Sequence, residues 1–196
     1  MRVNMSQKDR WNERYRNSDS PPQAARVLSE NLHLLAGSGR ALDLACGRGG
    51  NALLLAECGY QVDAWDISDV AVHSLQAHAK EHQFTIFPQI MDTNDLPVLN
   101  NIYDVIIISY FLQRDLFPWF NDALKPGGLL FYQTFTQTKV STRGPENSDF
   151  RLADQELIKQ LSFLQLLVYR EEGAQGNTDE GFRDEVMYIG RKPING

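Results

Sequence analysis

The sequence lacks the features that mark several classes of protein. Of its 196 residues only two are cysteines, Cys46 and Cys58, and their spacing matches neither a disulfide framework nor a zinc site. No apolar run approaches the length of a membrane span, and the first residues carry no apolar stretch typical of a signal peptide. We therefore expect a cytoplasmic protein with reduced thiols and no membrane partner.

Positive charge is also scarce. The chain has 19 Lys and Arg against 25 Asp and Glu, a net charge of −6, and no dense run of basic residues. This balance disfavours contact with phosphate backbones, so we expect no nucleic-acid partner. His78 and His82 have no third ligand near them in the sequence, so we predict no metal site. The length and 42% hydrophobic content suit a single domain over 1–196.

Strand-like and helix-like segments alternate along the chain, which is typical of a parallel sheet covered by helices on both faces. Ser6 and Ser20 are predicted N-caps of two N-terminal helices, the second running over 21–36. The polar, aperiodic stretch 137–150 predicts a long loop of functional importance. Later helices are predicted at 69–82, 116–124 and 153–161. Strands are predicted at 40–45, 61–66, 84–91, 103–109, 129–134, 164–170 and 183–190.

A glycine-rich turn, residues 42–51, lies between the first of these strands and the helix that follows it. Glycines let a backbone turn sharply and approach a ligand closely, and the start of a helix presents free N–H groups. Asp66 ends the next strand, about twenty residues further on, where an acid accepts hydrogen bonds from ribose hydroxyls. Together these features predict a nucleoside site.

Three ligand classes use such a turn, and the residue types separate them. A P-loop requires Gly-Lys-Ser/Thr, which is missing. Residues 47–52 fit the dinucleotide pattern G-x-G-x-x-A, which leaves an NAD-linked oxidoreductase open. Asp43, four residues before Gly47, repels a pyrophosphate but attracts an ammonium group, which favours S-adenosylmethionine (SAM). Because no indispensable acid–base pair is evident, a non-enzymatic SAM-binding regulatory module also stays open.

In their order along the chain these motifs resemble those of the class I SAM-dependent methyltransferases. The resemblance implies a Rossmann-like fold with a seven-stranded, mostly parallel sheet whose last strand is antiparallel, and SAM as the cofactor. The short chain resembles the tellurite-resistance (TehB-like) and thiopurine-methyltransferase-like branch, which implies a small-molecule acceptor such as a thiol or chalcogen oxyanion. The segments that carry the resemblance are 11–15, 42–49, 66–67, 91–93, 103–109 and 124–128.

The resemblance also implies roles for residues around the cofactor. Asp43 and the main chain of Ser109 hold the methionine ammonium, Asp66 binds the ribose, and Tyr15 closes the site from the N-terminal region 1–36. Ala45 stands where many members of the family have glycine. The full set of implied cofactor-binding residues is Tyr15, Asp43, Ala45, Gly47, Gly49, Asn51, Asp66, Ile67, Asp92, Thr93 and Ser109.

Acceptor-side residues are expected at the end of the fourth strand and in the long loop after the fifth. We expect the loop 137–150 to act as a lid, because lids often complete such sites. Two arginines of this region suit an anionic acceptor, unless they pair with nearby acids such as Asp115 or Glu146. The candidate catalytic residues are Tyr110, Arg114 and Arg143, with Gln113 and Thr136 as further acceptor-side candidates.

Overall fold

The computed structural model describes residues 5–18 and 20–194. The first four residues of the expected N-terminal cover therefore lie outside the described part. The helices are α1 (Gln7–Arg16), α2 (Arg26–Ser29), α3 (Gly50–Glu57), α4 (Asp69–Glu81), α5 (Phe117–Ala123) and α6 (Glu156–Gln160). The strands are β1 (Gly39–Leu44), β2 (Tyr60–Asp66), β3 (Ile86–Ile90), β4 (Tyr103–Ser109), β5 (Leu124–Phe135), β6 (Gln165–Glu171) and β7 (Glu185–Arg191).

The seven strands form one sheet in the order β3-β2-β1-β4-β5-β7-β6. Strands β1 to β5 pair in parallel, whereas β7 runs antiparallel to both of its neighbours, β5 and β6. The predicted mostly parallel sheet with an antiparallel last strand is therefore confirmed. Strands β2 and β3 lie on one side of the central pair β1–β4, and strands β5, β7 and β6 lie on the other side. The carboxyl ends of β1 and β4 consequently flank the crevice in which a doubly wound sheet binds its ligand.

The central strand β4 shows how the sheet is held between two layers. Ile107 belongs to the core that includes side chains of α3 and α4, whereas Ile106 belongs to the core that includes side chains of α5 and α6. Both side chains are completely buried. A strand covered on both faces needs apolar residues at successive positions, which accounts for the apolar run from Val105 to Ile108.

The segment 20–36 is not the continuous helix that the sequence predicted. Only α2 and one 3₁₀ turn are helical there. The main-chain nitrogens of Ala25 and Val27 donate to the side-chain oxygens of Asn51 and Gln133, at 2.8 and 2.7 Å. Buried side chains of distant elements thus take up donors that a longer helix would use internally, and the local helix-start signal is overridden.

Most other elements lie within a few residues of their predicted bounds, but two differ. Strand β5 begins at Leu124, because the glycine turn predicted ahead of it stays in the sheet, and Gly127 donates its N–H to the carbonyl of Lys192. Helix α6 is shorter than predicted and covers only Glu156–Gln160. Among the described residues, none of the helices is long and apolar enough to cross a lipid bilayer.

Candidate active site

The turn between β1 and α3 uses backbone conformations that favour glycine. Ala45, Gly47 and Gly49 have φ values of +55°, +53° and +84°. A side chain on Gly47 would come within 2.8 Å of the Tyr15 hydroxyl, and one on Gly49 would collide with Leu75. Tyr15 of α1 therefore lies directly against the turn. Ala45 adopts the left-handed conformation at a cost of about 1–2 kcal/mol, a cost that a glycine at this position would avoid.

Asp66, at the end of β2, is tied to this turn. Its carboxylate accepts hydrogen bonds from the main-chain nitrogens of Gly47 and Ser68, both at 2.8 Å. Burial raises the pKa of Asp66, although the two hydrogen bonds lower it. Each carboxylate oxygen keeps a further lone pair, because an ionised carboxylate accepts about four hydrogen bonds. Two ribose hydroxyls suit that remaining capacity.

Asp43, at the end of β1, is completely buried beneath the same turn. One of its oxygens accepts from the main-chain nitrogen of Ala52 at 3.0 Å and the other from the Asn51 amide at 3.4 Å. Burial raises the pKa of Asp43 to about 7. The Asn51 amide also donates to the Ser109 hydroxyl at 2.9 Å. Asn51 thus joins the carboxyl ends of β1 and β4 to the N-terminal segment that contacts it.

The residues predicted to enclose the adenine lie along the same edge of the sheet. Asp92 caps the 3₁₀ turn after β3 with its carboxylate. Thr93 in that turn donates its hydroxyl proton to the Gln113 amide oxygen at 2.7 Å, which links the ends of β3 and β4. Ile67 follows Asp66 and is half-buried. Gln113, predicted on the acceptor side, is therefore hydrogen-bonded to a residue that is predicted on the cofactor side.

The charges at the turn fit SAM better than a pyrophosphate. Asp43 and Asp66 place two carboxylates at the carboxyl ends of β1 and β2. Arg48, the guanidinium within the turn, donates to Ser18 and Ser20 of the N-terminal segment. Carboxylates attract an ammonium and bind hydroxyl donors, whereas they repel phosphate. These observations favour the SAM interpretation over the NAD alternative.

On the other side of the crevice, Tyr110 and Arg143 converge on one buried carboxylate. Glu185 is 3% exposed and accepts from an Arg143 guanidinium nitrogen at 2.7 Å and from the Gln133 amide at 2.6 Å. The Tyr110 hydroxyl donates to Glu185 at 3.3 Å and accepts from the Gln133 amide at 2.9 Å. Burial and the Glu185 charge raise the pKa of Tyr110 to about 12. Tyr110 is 43% exposed, and the Arg143 side chain is 61% exposed.

Two further residues predicted on the acceptor side are hydrogen-bonded within the protein. Arg114 donates to both carboxylate oxygens of Glu156, at 2.6 and 3.0 Å, and to the carbonyls of Asp149 and Arg151. Most of the Arg114 donors are thus taken by the protein, and Arg114 anchors the long loop through Asp149 and Arg151. Thr136 is buried, and its hydroxyl donates to a nearby main-chain carbonyl.

Sequence reasoning missed four buried polar residues that shape this region. Gln133 and Glu185 form the network just described. Arg151 donates to main-chain carbonyls of the loop 137–150 and its flank, and Asp184 accepts from two main-chain nitrogens and one serine hydroxyl of the same loop. The signal that could have found them was a polar side chain inside or next to an apolar strand, since such groups are buried only when they are hydrogen-bonded.

The strand order, the glycine turn and the acid that ends β2 define a Rossmann-like nucleoside-binding fold of the methyltransferase class. A family model described as a methyltransferase domain matches residues 41–128. A curated relative named SAM-dependent methyltransferase TehB, from Haemophilus influenzae, is 28% identical over 148 residues, covering 72% of this chain and 51% of TehB. The chain spans about half the length of the curated relatives it matches.

Two solved structures share the fold. The crystal structure of H. influenzae TehB aligns with a TM-score of 0.71 and 21% identity, covering 94% of this chain and 66% of that chain. A structure from work on the conversion of a disulfide bond into a thioacetal group during echinomycin biosynthesis aligns with a TM-score of 0.72 and 19% identity, covering 97% of this chain and 93% of that chain. Residues 41–128 thus match a methyltransferase-domain model, and the chain resembles the class I SAM-dependent methyltransferases, TehB among them. The predicted resemblance to this family and the predicted cofactor, SAM, are thereby confirmed.

Proposed function

We propose that the protein transfers a methyl group from SAM to a small-molecule acceptor that is a thiol or a chalcogen oxyanion. The observation that carries this proposal is the pairing of an exposed phenol, Tyr110, with an exposed guanidinium, Arg143, on the buried carboxylate of Glu185. Both groups donate hydrogen bonds, which suits an anionic acceptor. The resemblance to TehB and the conversion of a disulfide into a thioacetal associated with the echinomycin structure support the same acceptor class.

The residues of the cofactor side bind SAM and orient it. Asp66 receives the ribose hydroxyls, Asp43 supplies negative charge near the methionine ammonium, and Gly47 lets the main chain pass close to the ligand. When bound, SAM supplies an electrophilic methyl group on a sulfonium. The acceptor's lone pair forms the new bond to that carbon as the carbon–sulfur bond breaks, leaving a neutral thioether. Alignment and exclusion of water by the protein then account for much of the rate.

Two segments are proposed to close the site. The N-terminal region 1–36 covers the cofactor, since Tyr15 packs on Gly47 and Ala25 is bound by Asn51. The loop 137–150 acts as a lid over the acceptor side, to which it contributes Arg143. The free thiols support a reducing compartment such as the cytoplasm, and the acidic net charge supports a small-molecule rather than a nucleic-acid acceptor.

The direct test is formation of S-adenosylhomocysteine from SAM in the presence of potassium tellurite, sodium selenite or thiophenol. Catechol and aniline serve as neutral oxygen and nitrogen acceptors for comparison, and the Asp66→Ala variant corrects for uncatalysed reaction. We expect turnover with at least one of the first three compounds and little with the last two. SAM binding without turnover on any acceptor would favour the regulatory-module alternative instead.

A further inference from the structure

The orientation of one buried amide determines the direction of the hydrogen bonds on the acceptor side. Gln133 is completely buried, and its carbonyl oxygen accepts from the main-chain nitrogen of Val27 at 2.7 Å. Its NH₂ group must therefore face the other way, where it donates one hydrogen to Glu185 and the other to the Tyr110 oxygen. Because an amide nitrogen cannot accept a hydrogen bond, the Tyr110 proton cannot point toward Gln133.

The Tyr110 proton then has two directions left, toward Glu185 or toward the crevice. The distance from the Tyr110 hydroxyl to Glu185 is 3.3 Å, which is long for an O–H···O bond, usually about 2.7–2.8 Å. Glu185 is already held by stronger bonds from Arg143 and Gln133. The phenolic proton is thus weakly held by the protein, and 43% of Tyr110 is exposed.

We infer that Gln133 and Glu185 are positioning residues that present Tyr110 as a hydrogen-bond donor beside Arg143, so that the site selects acceptors that are already ionised. This inference rests on the proposed function and narrows its acceptor class. An ionised acceptor loses one negative charge when its lone pair takes the methyl group, so no proton has to be removed. Neutral alcohols and amines, which require a base, are disfavoured.

The charges around Tyr110 agree with a donor role. The groups that face its hydroxyl are Glu185 from β7, Gln133 from β5 and Arg143 from the loop. Burial and the Glu185 charge raise the pKa of Tyr110 and outweigh the opposing effects of Arg143 and Gln133. Tyr110 therefore stays protonated at neutral pH. A phenol held in this state donates a proton to a hydrogen bond but does not act as a base.

The first experiment follows the ionisation of Tyr110 and requires no acceptor. Tyrosine labelled with ¹³C at Cζ is incorporated, its Tyr110 signal is assigned with Tyr110→Phe, and NMR spectra are recorded from pH 8 to 10.5. We expect the wild-type signal to stay that of a phenol, whereas in Glu185→Gln the titration moves to lower pH and the signal begins to shift by pH 10.5. Glu156→Gln is the matched control, because it removes a carboxylate that pairs with a different arginine, Arg114. We expect it to leave the Tyr110 signal unchanged. An unchanged Tyr110 signal in Glu185→Gln would overturn the inference.

The second experiment asks whether the protein supplies a base. At saturating SAM, the pH dependence of kcat/KM for the acceptor is measured with 4-nitrothiophenol, thiophenol and 4-methoxythiophenol, whose thiol pKa values rise in that order. We expect the acid-side break to move with the pKa of each thiol. A break at one pH for all three would reveal a protein base and overturn the inference. Turnover of none of them, and of neither tellurite nor selenite, would overturn the proposed function and its acceptor class. The NMR result would still decide how Tyr110 is presented.

The third experiment uses a variant of Gln133 to distinguish a positioning role of this residue from a role in folding. Gln133→Met retains the length of the side chain but removes its donors and acceptor. With a folded variant, confirmed by circular dichroism, we expect the acceptor KM to rise severalfold while the dissociation constant of SAM changes little. Equal losses in acceptor KM and SAM affinity would assign Gln133 a structural role only.

Discussion

The cofactor side and the acceptor side of the crevice are built in different ways. On the cofactor side, the carboxylate of Asp66 and the main chain of Gly47 are only 19 positions apart in the sequence. On the acceptor side, Glu185 is 75 positions from Tyr110 and 52 from Gln133. The first arrangement comes from one strand–helix–strand unit, whereas the second exists only because β4, β5 and β7 meet in the sheet.

This contrast implies that the two sides of the crevice depend on different kinds of contact. The cofactor side relies on backbone geometry and main-chain hydrogen bonds, which many side-chain changes leave intact. The acceptor side depends on a few side chains around Glu185, so a single substitution changes what it recognises. Variation among acceptors is therefore expected to arise on the second side, while the first stays constant.

The largest effect is expected from Asp66→Ala on the cofactor side. Loss of the carboxylate removes the acceptors for the ribose and should weaken SAM binding roughly 10- to 100-fold, measured by isothermal titration calorimetry. Asp104→Ala is the matched control, because Asp104 also accepts from a main-chain nitrogen but lies on the opposite, amino-end edge of the sheet. Equal SAM affinity in Asp66→Ala and the wild type would contradict the cofactor assignment.

The next prediction compares two arginines of the acceptor side. Arg143→Gln keeps a donor for Glu185 but removes the positive charge. It should lower kcat/KM for an anionic acceptor roughly tenfold, and it should also lower the melting temperature because the buried Glu185 carboxylate loses its positive partner. Arg114→Ala breaks the loop anchor on Glu156 and should cost about 1–2 kcal/mol of unfolding free energy. The reverse outcome, with a stability loss only in Arg143→Gln and an activity loss only in Arg114→Ala, would exchange their assigned roles.

The pKa of Asp43 predicts opposite effects of pH on binding and on folding. Burial raises this pKa to about 7, so the carboxyl acquires its charge as the pH rises through that value. SAM affinity should increase between pH 6 and 8, by roughly tenfold at most, because the charge attracts the methionine ammonium. The contribution of Asp43 to folding is favourable below the ordinary carboxyl pKa and is lost as the pH rises through about 7.

Calorimetric titrations at pH 6, 7 and 8 measure the binding effect, and thermal melts of the free protein measure the folding effect. Adenosine is the control ligand, since it shares the ribose and adenine but lacks the ammonium. The same pH dependence for adenosine and SAM would show that Asp43 does not act on the methionine moiety.

The smallest predicted effect is a gain in stability at the glycine turn. Ala45 has φ +55°, and Ala45→Gly relieves that strain while increasing the entropy of the unfolded chain. We expect a net gain of up to about 1 kcal/mol, or roughly 2–4 °C in melting temperature. Ala41→Gly in the extended part of β1 is the control and should lower stability. A destabilised Ala45→Gly would mean that the Ala45 methyl group makes contacts worth more than the strain.

The features that the sequence predicted, and those that it did not, differ between the same two sides of the crevice. Periodicity and capping predicted β4 and α4 closely, and the glycine motif predicted the sharp turn around Gly47, which Asp66 contacts, because these signals are local. The network of Gln133 and Glu185 has no local signature, since its partners are brought together by strand pairing. For the same reason, the helix predicted over 21–36 was wrong: side chains distant in the sequence capture its main-chain donors.

The central claim, a SAM site at the glycine turn, is tested most directly by thermal shift with SAM, S-adenosylhomocysteine and NADH in parallel. At a hundred times its dissociation constant, a ligand should stabilise the fold by about 2.7 kcal/mol. We predict that both adenosyl ligands raise the melting temperature and that NADH does not. Stabilisation by NADH alone, or by none of the three, would contradict the claim.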